Sequence, residues 1–373
     1  MVISIYTKYR PQKFSDLIGQ EIVANTLRNT VKMGLVSHAY LFAGPRGSGK
    51  TSTARILAKA VNCENPKDGE PCNKCKFCEE IKSGKAIDII EIDAASNRGI
   101  EEIRELKENA RYAPSFLKYK VFIIDESHQL TKEAVNALLK IVEEPPSHVI
   151  FIFATTDPQK MIETIISRCQ RFDFKKLSIS DIVKKLEYIL KNENIPYEKD
   201  ALEYIAVFAQ GAMRDAEVLL EQIIYSLHEG EKITKDLVLN ILGGVDPLFI
   251  KELFRTIVNK KFPKAIEILN SLVTKGYSAE DIAKNLINFL RVGLMLKVDG
   301  SLSLEDIPIS VTSDDIEFIK SEIKNVNLRY LYNVLDLFLE ALPKIKYAPV
   351  QQLPLELAIL SIFDKEGENS GKQ

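Results

Sequence analysis

An excess of either charge is missing from this sequence: 50 Lys and Arg stand against 52 Asp and Glu, a formal net charge of −2. A general basic footprint for nucleic acid is thereby excluded, and any grip on a phosphate backbone has to come from a local surface. No apolar run reaches the ~18 residues that a membrane span needs. The opening residues, MVISIYTKYRPQ, lack an apolar core of signal-peptide length, so a mature, cytoplasmic chain with no membrane attachment is expected. Internal repeats are absent. The four histidines (His38, His128, His148 and His228) show no metal-ligand spacing, and none is assigned chemistry. Polymerase chemistry needs paired metal-binding carboxylates beside a template groove, and no second acidic pair occurs in a suitable setting.

What is present is an ordinary globular balance, 46% hydrophobic and 27% charged over 373 residues, enough for two or three domains at roughly 100–200 residues each. Short apolar runs at Ala39–Ala43, Ile87–Ile92, Val121–Ile124, Val149–Ala154 and Arg171–Phe174 alternate with helical patterns. That rhythm predicts right-handed βαβ units and an α/β domain whose parallel sheet is covered on both faces. Strand signals stop after Phe174. Ser180 is a candidate helix cap, and Asp200 with Glu203 resembles a capping box. Residues 178–242 read as a small helical module, ended by the breaker cluster Gly243-Gly244 and Asp246-Pro247. Residues 243–363 are helical again, with Leu331, Val334, Leu335 and Phe338 spaced along one helix face. Residues 364–373 are expected to form a flexible tail.

Two stretches carry the chemistry. Gly44, Pro45, Arg46, Gly47, Ser48, Gly49, Lys50 and Thr51 fit G-x-x-x-x-G-K-[ST] at every specified position, between an apolar strand and a helix that continues with Ser52. Amide N–H groups and a helix N-terminus there suit a triphosphate, with Lys50 reaching the β- and γ-phosphates and Thr51 a Mg²⁺ ion. Val121–Ile124 then ends in Asp125 and Glu126. Asp125 suits Mg²⁺, and Glu126 suits a base that polarises the attacking water. The run Val149–Ala154 ends in Thr155-Thr156, hydroxyls placed to sit near those carboxylates, although threonine is favoured in strands for other reasons. Arg168, in Ser167-Arg168-Cys169, is of a type that more often makes a surface salt bridge.

Cysteines number five, and four of them, Cys63, Cys72, Cys75 and Cys78, lie within sixteen residues. That clustering is unlike a disulfide framework and suits tetrahedral Zn²⁺, with two-residue gaps that aim neighbouring thiolates at one metal. Four filled positions leave no open coordination site, so the role is structural. The site is expected to be remote from the phosphates, and its loss to leave hydrolysis largely intact. Free or redox thiols are the alternative. Cys169 reads as a small apolar residue.

Together these motifs resemble the clamp-loader ATPases of the AAA+ class. The match runs through Tyr9-Arg10-Pro11, Phe14-Ser-Asp-Leu-Ile-Gly19-Gln20, His38-Ala-Tyr-Leu-Phe, Glu91-Ile-Asp-Ala-Ala-Ser96, Asn136-Ala-Leu-Leu-Lys140, Glu143-Glu-Pro-Pro146 and Ala154-Thr-Thr-Asp-Pro-Gln-Lys160. The cysteine insertion narrows the resemblance to the gamma/tau subunit family of bacterial DNA polymerase III; the delta-prime type shares the cysteines but lacks a working P-loop. The resemblance implies that residues 1–177 are the ATPase domain with its zinc module at 63–78, that 178–242 are a lid and that 243–363 are a collar. Tyr9, Arg10, Pro11 and Ile18 would line the adenine side, Thr156 would be the first sensor, and Arg214 would reach the γ-phosphate from the lid. Arg168 would be a finger acting in trans on the next subunit's ATP. Partners implied are delta- and delta-prime-type subunits and further copies of the chain in a five-membered ring, a sliding clamp and primed DNA. Arg98 is the candidate DNA contact, with a solvated cap position as its alternative. A related AAA+ DNA motor, a helicase or branch-migration ATPase, is the competing reading; it would carry a terminal DNA-binding module and no cysteine insertion.

Overall fold

The five apolar runs form one parallel sheet: β1 (Ala39–Ala43), β2 (Ile89–Asp93), β3 (Lys120–Asp125), β4 (Val149–Thr155) and β5 (Gln170–Asp173), in the order β2-β3-β4-β1-β5. This computed structural model describes residues 4–97, 99–228, 230–300 and 311–370. The sequences of the strands explain their places. β1 and β4 are buried along their whole length and read AYLFA and VIFIFAT. Edge strands β2 and β5 read IIEID and QRFD, with charged residues where one flank meets solvent.

Alternation along the central strands feeds two cores. On one face Tyr40, Phe42, Ile123 and Ile152 pack against Leu27 of helix Glu21–Met33 and Ile56 and Leu57 of helix Lys50–Asn62. On the other, Leu41, Phe122, Phe151 and Phe153 pack against Ile103 and Leu106 of helix Ile100–Arg111 and Leu138 and Val142 of helix Lys132–Glu143. Register levels the strand ends: Ala43 lies opposite Thr155, and Ile124 opposite Phe153, one residue before Asp125. Because β1 sits between β4 and β5, the order reverses there, and ligands of open α/β sheets bind outside the strand ends at such a switch point.

The chain forms two compact units. One comprises Met1–Leu177 with Gly211–Val218; the other comprises Ser178–Gln210 with Leu219–Gln373. The second is helical and is centred on Phe254, Leu286, Leu290 and Ile359, joined by Leu331, Val334 and Phe338 of helix Leu328–Ile345. Two predicted caps are corrected. Ser178, not Ser180, caps helix Ile179–Glu193: its hydroxyl accepts from the Asp181 amide, and the Asp181 carboxylate accepts from the Ser178 amide. Asp200 and Glu203 form no capping box. Helix Lys199–Phe208 follows Glu198 without a side-chain cap, and the Glu203 carboxylate accepts instead from the Ser313 amide. The last helix, Leu353–Ser370, extends beyond residue 363.

Phe151 is fully buried and stacks on Phe122 and Phe153 at centroid distances of 5.3 and 6.2 Å. Phe151→Ala is expected to lower the stability of the sheet unit by about 3–5 kcal/mol. Ile87→Ala, at a side chain 72% exposed, is expected to change it by less than about 0.5 kcal/mol. Guanidinium unfolding curves of the two variants check the contrast.

Candidate functional site

The glycine-rich loop turns directly from β1 into helix Lys50–Asn62, with Gly49 in the left-handed region at its N-cap. Gly47 has φ +74°, and a Cβ there would lie 2.8 Å from Ala212 Cβ. The Met213 amide donates to the Gly47 carbonyl at 3.2 Å. The loop is thus seated on the 211–213 turn that opens helix Met213–Ser226. Ser48 donates its hydroxyl to the Pro45 carbonyl at 2.8 Å. Arg46 is exposed, while Gly44, Pro45 and Ser52 are half-buried.

Lys50 is buried, and its ammonium donates to the Gly44 and Pro45 carbonyls at 2.9 Å each. Burial pushes its pKa down, opposed by the charges of Glu126 and Asp125. Thr51 donates its hydroxyl to Asp125 Oδ2 at 2.6 Å. A hydroxyl and a carboxylate oxygen in contact at a helix N-terminus are the donor set that Mg²⁺ takes beside phosphate, so the residues present fit that ion.

Glu126 has φ +47°, an uncommon conformation for a non-glycine residue. Its carboxylate accepts from the Thr156 hydroxyl at 2.9 Å. His128 Nδ1 lies 3.0 Å from Thr155 Oγ1 and 3.5 Å from Glu126 Oε2. The two sheet-end threonines therefore divide their work: Thr156 holds Glu126, and Thr155 holds His128. Sequence reasoning missed His128; its position two residues after Glu126 was the available signal, and metal-ligand spacing was the wrong test for it.

Among the remaining candidates, the exposed Arg214 places its guanidinium 5.0 Å from the centre of the Tyr6 ring, another residue the sequence did not single out. The Thr7 and Ser4 hydroxyls, and then Arg214, hold the Tyr6 pKa down. Tyr9, Arg10, Pro11 and Ile18 are half-buried in the segment that leads into helix Glu21–Met33. Arg168 is not drawn to the loop. It donates to Glu143 Oε1 at 2.6 Å and to the Thr164 carbonyl at 2.8 Å, the surface pairing that the sequence left open. Arg98 lies outside the described residues.

The four cysteines do converge. Their sulfurs all lie within 4.8 Å of one another, and Cys72 Sγ is 4.0 Å from Cys78 Sγ. A tetrahedral ion with bonds of ~2.3 Å spans sulfur pairs ~3.8 Å apart, so the cluster is compatible with zinc. Backbone amides support the thiolates: the Cys72 amide donates to Cys63 Sγ at 3.2 Å, and the Cys75 amide to Cys72 Sγ at 3.3 Å. The Lys74 amide, foremost, pulls the Cys72 pKa down, while burial pushes those of Cys63 and Cys78 up. Cys169 stands apart, its pKa pushed up to about 12 by burial.

Three family models match successive stretches: DNA polymerase III, delta subunit, over residues 19–178; the ATPase lid domain of the DNA polymerase III clamp loader subunit over 181–227; and DNA polymerase III subunits gamma and tau domain III over 233–367. The DNA polymerase III subunit tau of Bacillus subtilis (strain 168) is 41% identical over 361 residues, covering 96% of this chain and 63% of that one. That of Escherichia coli (strain K12) is 38% identical over 354 residues, covering 95% and 54%. The DNA polymerase III subunit gamma of Buchnera aphidicola subsp. Baizongia pistaciae is 37% identical over 357 residues, covering 96% and 95%. The chain spans between half and two thirds of the tau relatives and nearly all of the gamma relative. Among the described residues no helix is long and apolar enough to cross a membrane.

Proposed function

Because the chain belongs to the gamma/tau subunit family of DNA polymerase III, we propose that it is an ATP-binding and ATP-hydrolysing subunit of a clamp loader, which opens a sliding clamp and loads it onto primed DNA. One observation carries this reading: the Thr51 hydroxyl on Asp125, beside a Glu126 carboxylate held by Thr156. Positioning and electrostatics account for nearly all of phosphoryl-transfer catalysis, and these groups supply both.

In this reading the loop from Gly44 to Ser52 holds the phosphates, Lys50 leaves its carbonyl partners for phosphate oxygens, and Thr51 and Asp125 hold Mg²⁺. When bound, Mg²⁺ supplies positive charge where negative charge builds on the phosphate oxygens. Tyr9, Arg10, Pro11 and Ile18 line the adenine, and Arg214 answers the γ-phosphate. Glu126 polarises water, and Thr156 fixes its carboxylate. Residues 1–177, 178–242 and 243–363 serve as ATPase domain, lid and collar, the last holding a ring with delta- and delta-prime-type subunits. Polymerase activity belongs to other chains of the holoenzyme. The helicase-like reading has nothing comparable in support, since the lid and gamma/tau domain III models match here.

Glu126→Gln keeps an acceptor for the Thr156 hydroxyl and removes the charge. It is expected to bind ATP as tightly as the wild type and to turn over at least roughly 10²-fold more slowly. Calorimetry and steady-state ATPase assays decide, and wild-type turnover would move the base elsewhere.

Arg168 is anchored on Glu143 within its own chain, so a role as a finger requires exchanging that partner for a neighbour's phosphate. Arg168→Ala should leave ATP affinity of the isolated chain unchanged and remove most of the hydrolysis that clamp and primed DNA stimulate in the assembled loader, a contribution of roughly 10³-fold or more. Weakened ATP binding in the isolated chain would instead place the residue in cis.

Zinc occupies the cysteine cluster in this reading. Elemental analysis is expected to find about one zinc per chain, and none after Cys75→Ser. A folded wild-type chain free of metal would refute the assignment.

A further inference from the structure

We propose that the cysteine module is a strut for the adenine side of the nucleotide site, with Glu70 and Lys59 as its positioning residues. The inference rests on the nucleotide reading above and adds to it residues that neither motif contains.

The loop between Cys63 and Cys75 does not hang free. Its Glu70 carboxylate accepts from two consecutive backbone amides, Phe14 at 2.7 Å and Ser15 at 2.9 Å. Those amides open the short turn Phe14–Asp16, which lies between Tyr9-Arg10-Pro11 and Ile18, the residues proposed to line the base. A carboxylate that takes one N–H on each oxygen fixes the orientation as well as the position of that turn.

Lys59 makes the second attachment. It lies on the helix that begins at Lys50, is only 2% exposed, and spends its donors on the Gln12 carbonyl, Gln12 Oε1 and Asn73 Oδ1, at 2.7 to 2.8 Å. Burial lowers its pKa to about 8, so these partners matter to it: a buried ammonium is tolerated only when its hydrogen bonds are made. One side chain thus joins the cysteine loop (Asn73) to the residue following Tyr9-Arg10-Pro11 (Gln12).

The third attachment is steric. Gly69, at φ +81°, lies so close to helix Glu21–Met33 that a Cβ would stand 2.1 Å from the Arg28 carbonyl oxygen. The Lys32–Asp68 pair nearby is mostly exposed and contributes little.

The converged sulfurs hold this loop in turn. Cys63 caps the helix Lys50–Asn62, and Cys75 begins the helix Lys76–Lys82. Between them the loop has no ladder of its own beyond the single Lys67–Glu70 bridge. Fixing the four sulfurs fixes Glu70, and Glu70 fixes the turn beside the base. The hydrogen bonds of Glu70 and Lys59 go to the base-side segment and the cysteine loop. Loss of the strut should therefore weaken recognition of the nucleoside and spare recognition of the phosphates, in place of the near-indifference that the sequence predicts for the module.

The experiment uses the full chain. ATP and inorganic tripolyphosphate are titrated calorimetrically into wild type, Glu70→Ala, Glu70→Gln and Lys50→Ala. Zinc content and amide hydrogen exchange are followed in parallel. Glu70→Ala is expected to retain its zinc, to lose ATP affinity on the order of tenfold, as removal of a charged acceptor of two hydrogen bonds implies, and to keep its tripolyphosphate affinity. Exchange at the Phe14 and Ser15 amides should speed up. Glu70→Gln, which keeps one acceptor oxygen, should recover part of both losses. In turnover assays KM for ATP should rise with kcat retained. Chelation of the wild type should reproduce the fast exchange and weak ATP binding of Glu70→Ala. Lys50→Ala should lose both ligands. A Glu70→Ala chain that binds ATP as well as the wild type overturns the strut alone, and so does an equal loss of ATP and tripolyphosphate affinity. A wild-type chain that binds no ATP overturns the nucleotide reading and this assignment with it.

Discussion

The 2.6 Å hydrogen bond from Thr51 to Asp125 joins the first turn of a helix to the end of a strand two places away in the sheet. Three independent requirements have to be met for it to form. β1 must end level with β3 and β4, which the parallel register ensures. The loop after β1 must turn within a few residues, which Gly47 and Gly49 permit with positive φ. The sheet must also be buried on both faces, because only then do its strand ends become a rigid rim. The aromatic layer Phe122, Phe151 and Phe153 on one face, and Tyr40 and Phe42 on the other, provide that rigidity. The geometry of the candidate site therefore depends on packing many residues away from it.

Legibility in the sequence followed the kind of signal each feature leaves. The glycine-rich loop is contiguous, and its residues are constrained by local backbone geometry, so its turn from strand to helix could be read directly. The central strands were legible because burial on both faces demands unbroken apolar runs. The edge strands, diluted by Glu91, Arg171 and Asp173, were recognisable mainly from their place in the rhythm. The cysteines were legible as a cluster because four of them fall within sixteen residues with two-residue gaps. Caps were harder: Ser178 and Ser180 are equally plausible by composition, and only the reciprocal bond with Asp181 selects the first. Tertiary partners left no trace. Glu70 stands among Asp68, Gly69 and Pro71 and reads as ordinary loop polarity; nothing in its neighbourhood names Phe14 and Ser15 as its targets. His128 was passed over because it was tested for metal-ligand spacing, whereas its partner is the Thr155 hydroxyl at the end of β4. Arg168 shows the converse limit, because both a surface salt bridge and a transferable finger predict an arginine there.

Glu126 combines two restraints that pull in one direction. Its backbone sits in the left-handed region, which costs a side-chain-bearing residue roughly 1–3 kcal/mol. Its carboxylate is held by Thr156, with the His128 imidazole close by. Neither restraint suits a solvated surface acid, whose side chain would gain entropy by being free. Both suit a group that has to present one oxygen in one place, and strain at such a site is maintained by the surrounding structure. Here that structure is the buried end of β4 and the turn Ser127–Gln129, whose Ser127 hydroxyl donates to the Ala154 carbonyl.

The helix Lys50–Asn62 brings the two halves of the proposed site together. Thirteen residues at 1.5 Å each place its ends ~20 Å apart, so Cys63 at its far end is remote from the glycine-rich loop at its beginning. Distance from that loop is not distance from the segment proposed to line the base, however. Lys59, near the far end of the helix, reaches back to Gln12, and the loop that starts at Cys63 returns through Glu70 to Phe14 and Ser15. One rigid rod therefore sets the separation between the glycine-rich loop at its N-terminus, proposed to hold phosphates, and the segment tied to its C-terminal end, proposed to line the base. In the proposed strut, the cluster of four sulfurs at that end sets the position of the tie. Within a loop of Asn65, Pro66, Asp68, Gly69 and Pro71, the backbone of Glu70 is tied to Lys67 by a reciprocal pair of hydrogen bonds, and in the proposed strut the four-sulfur closure steadies what that pair does not.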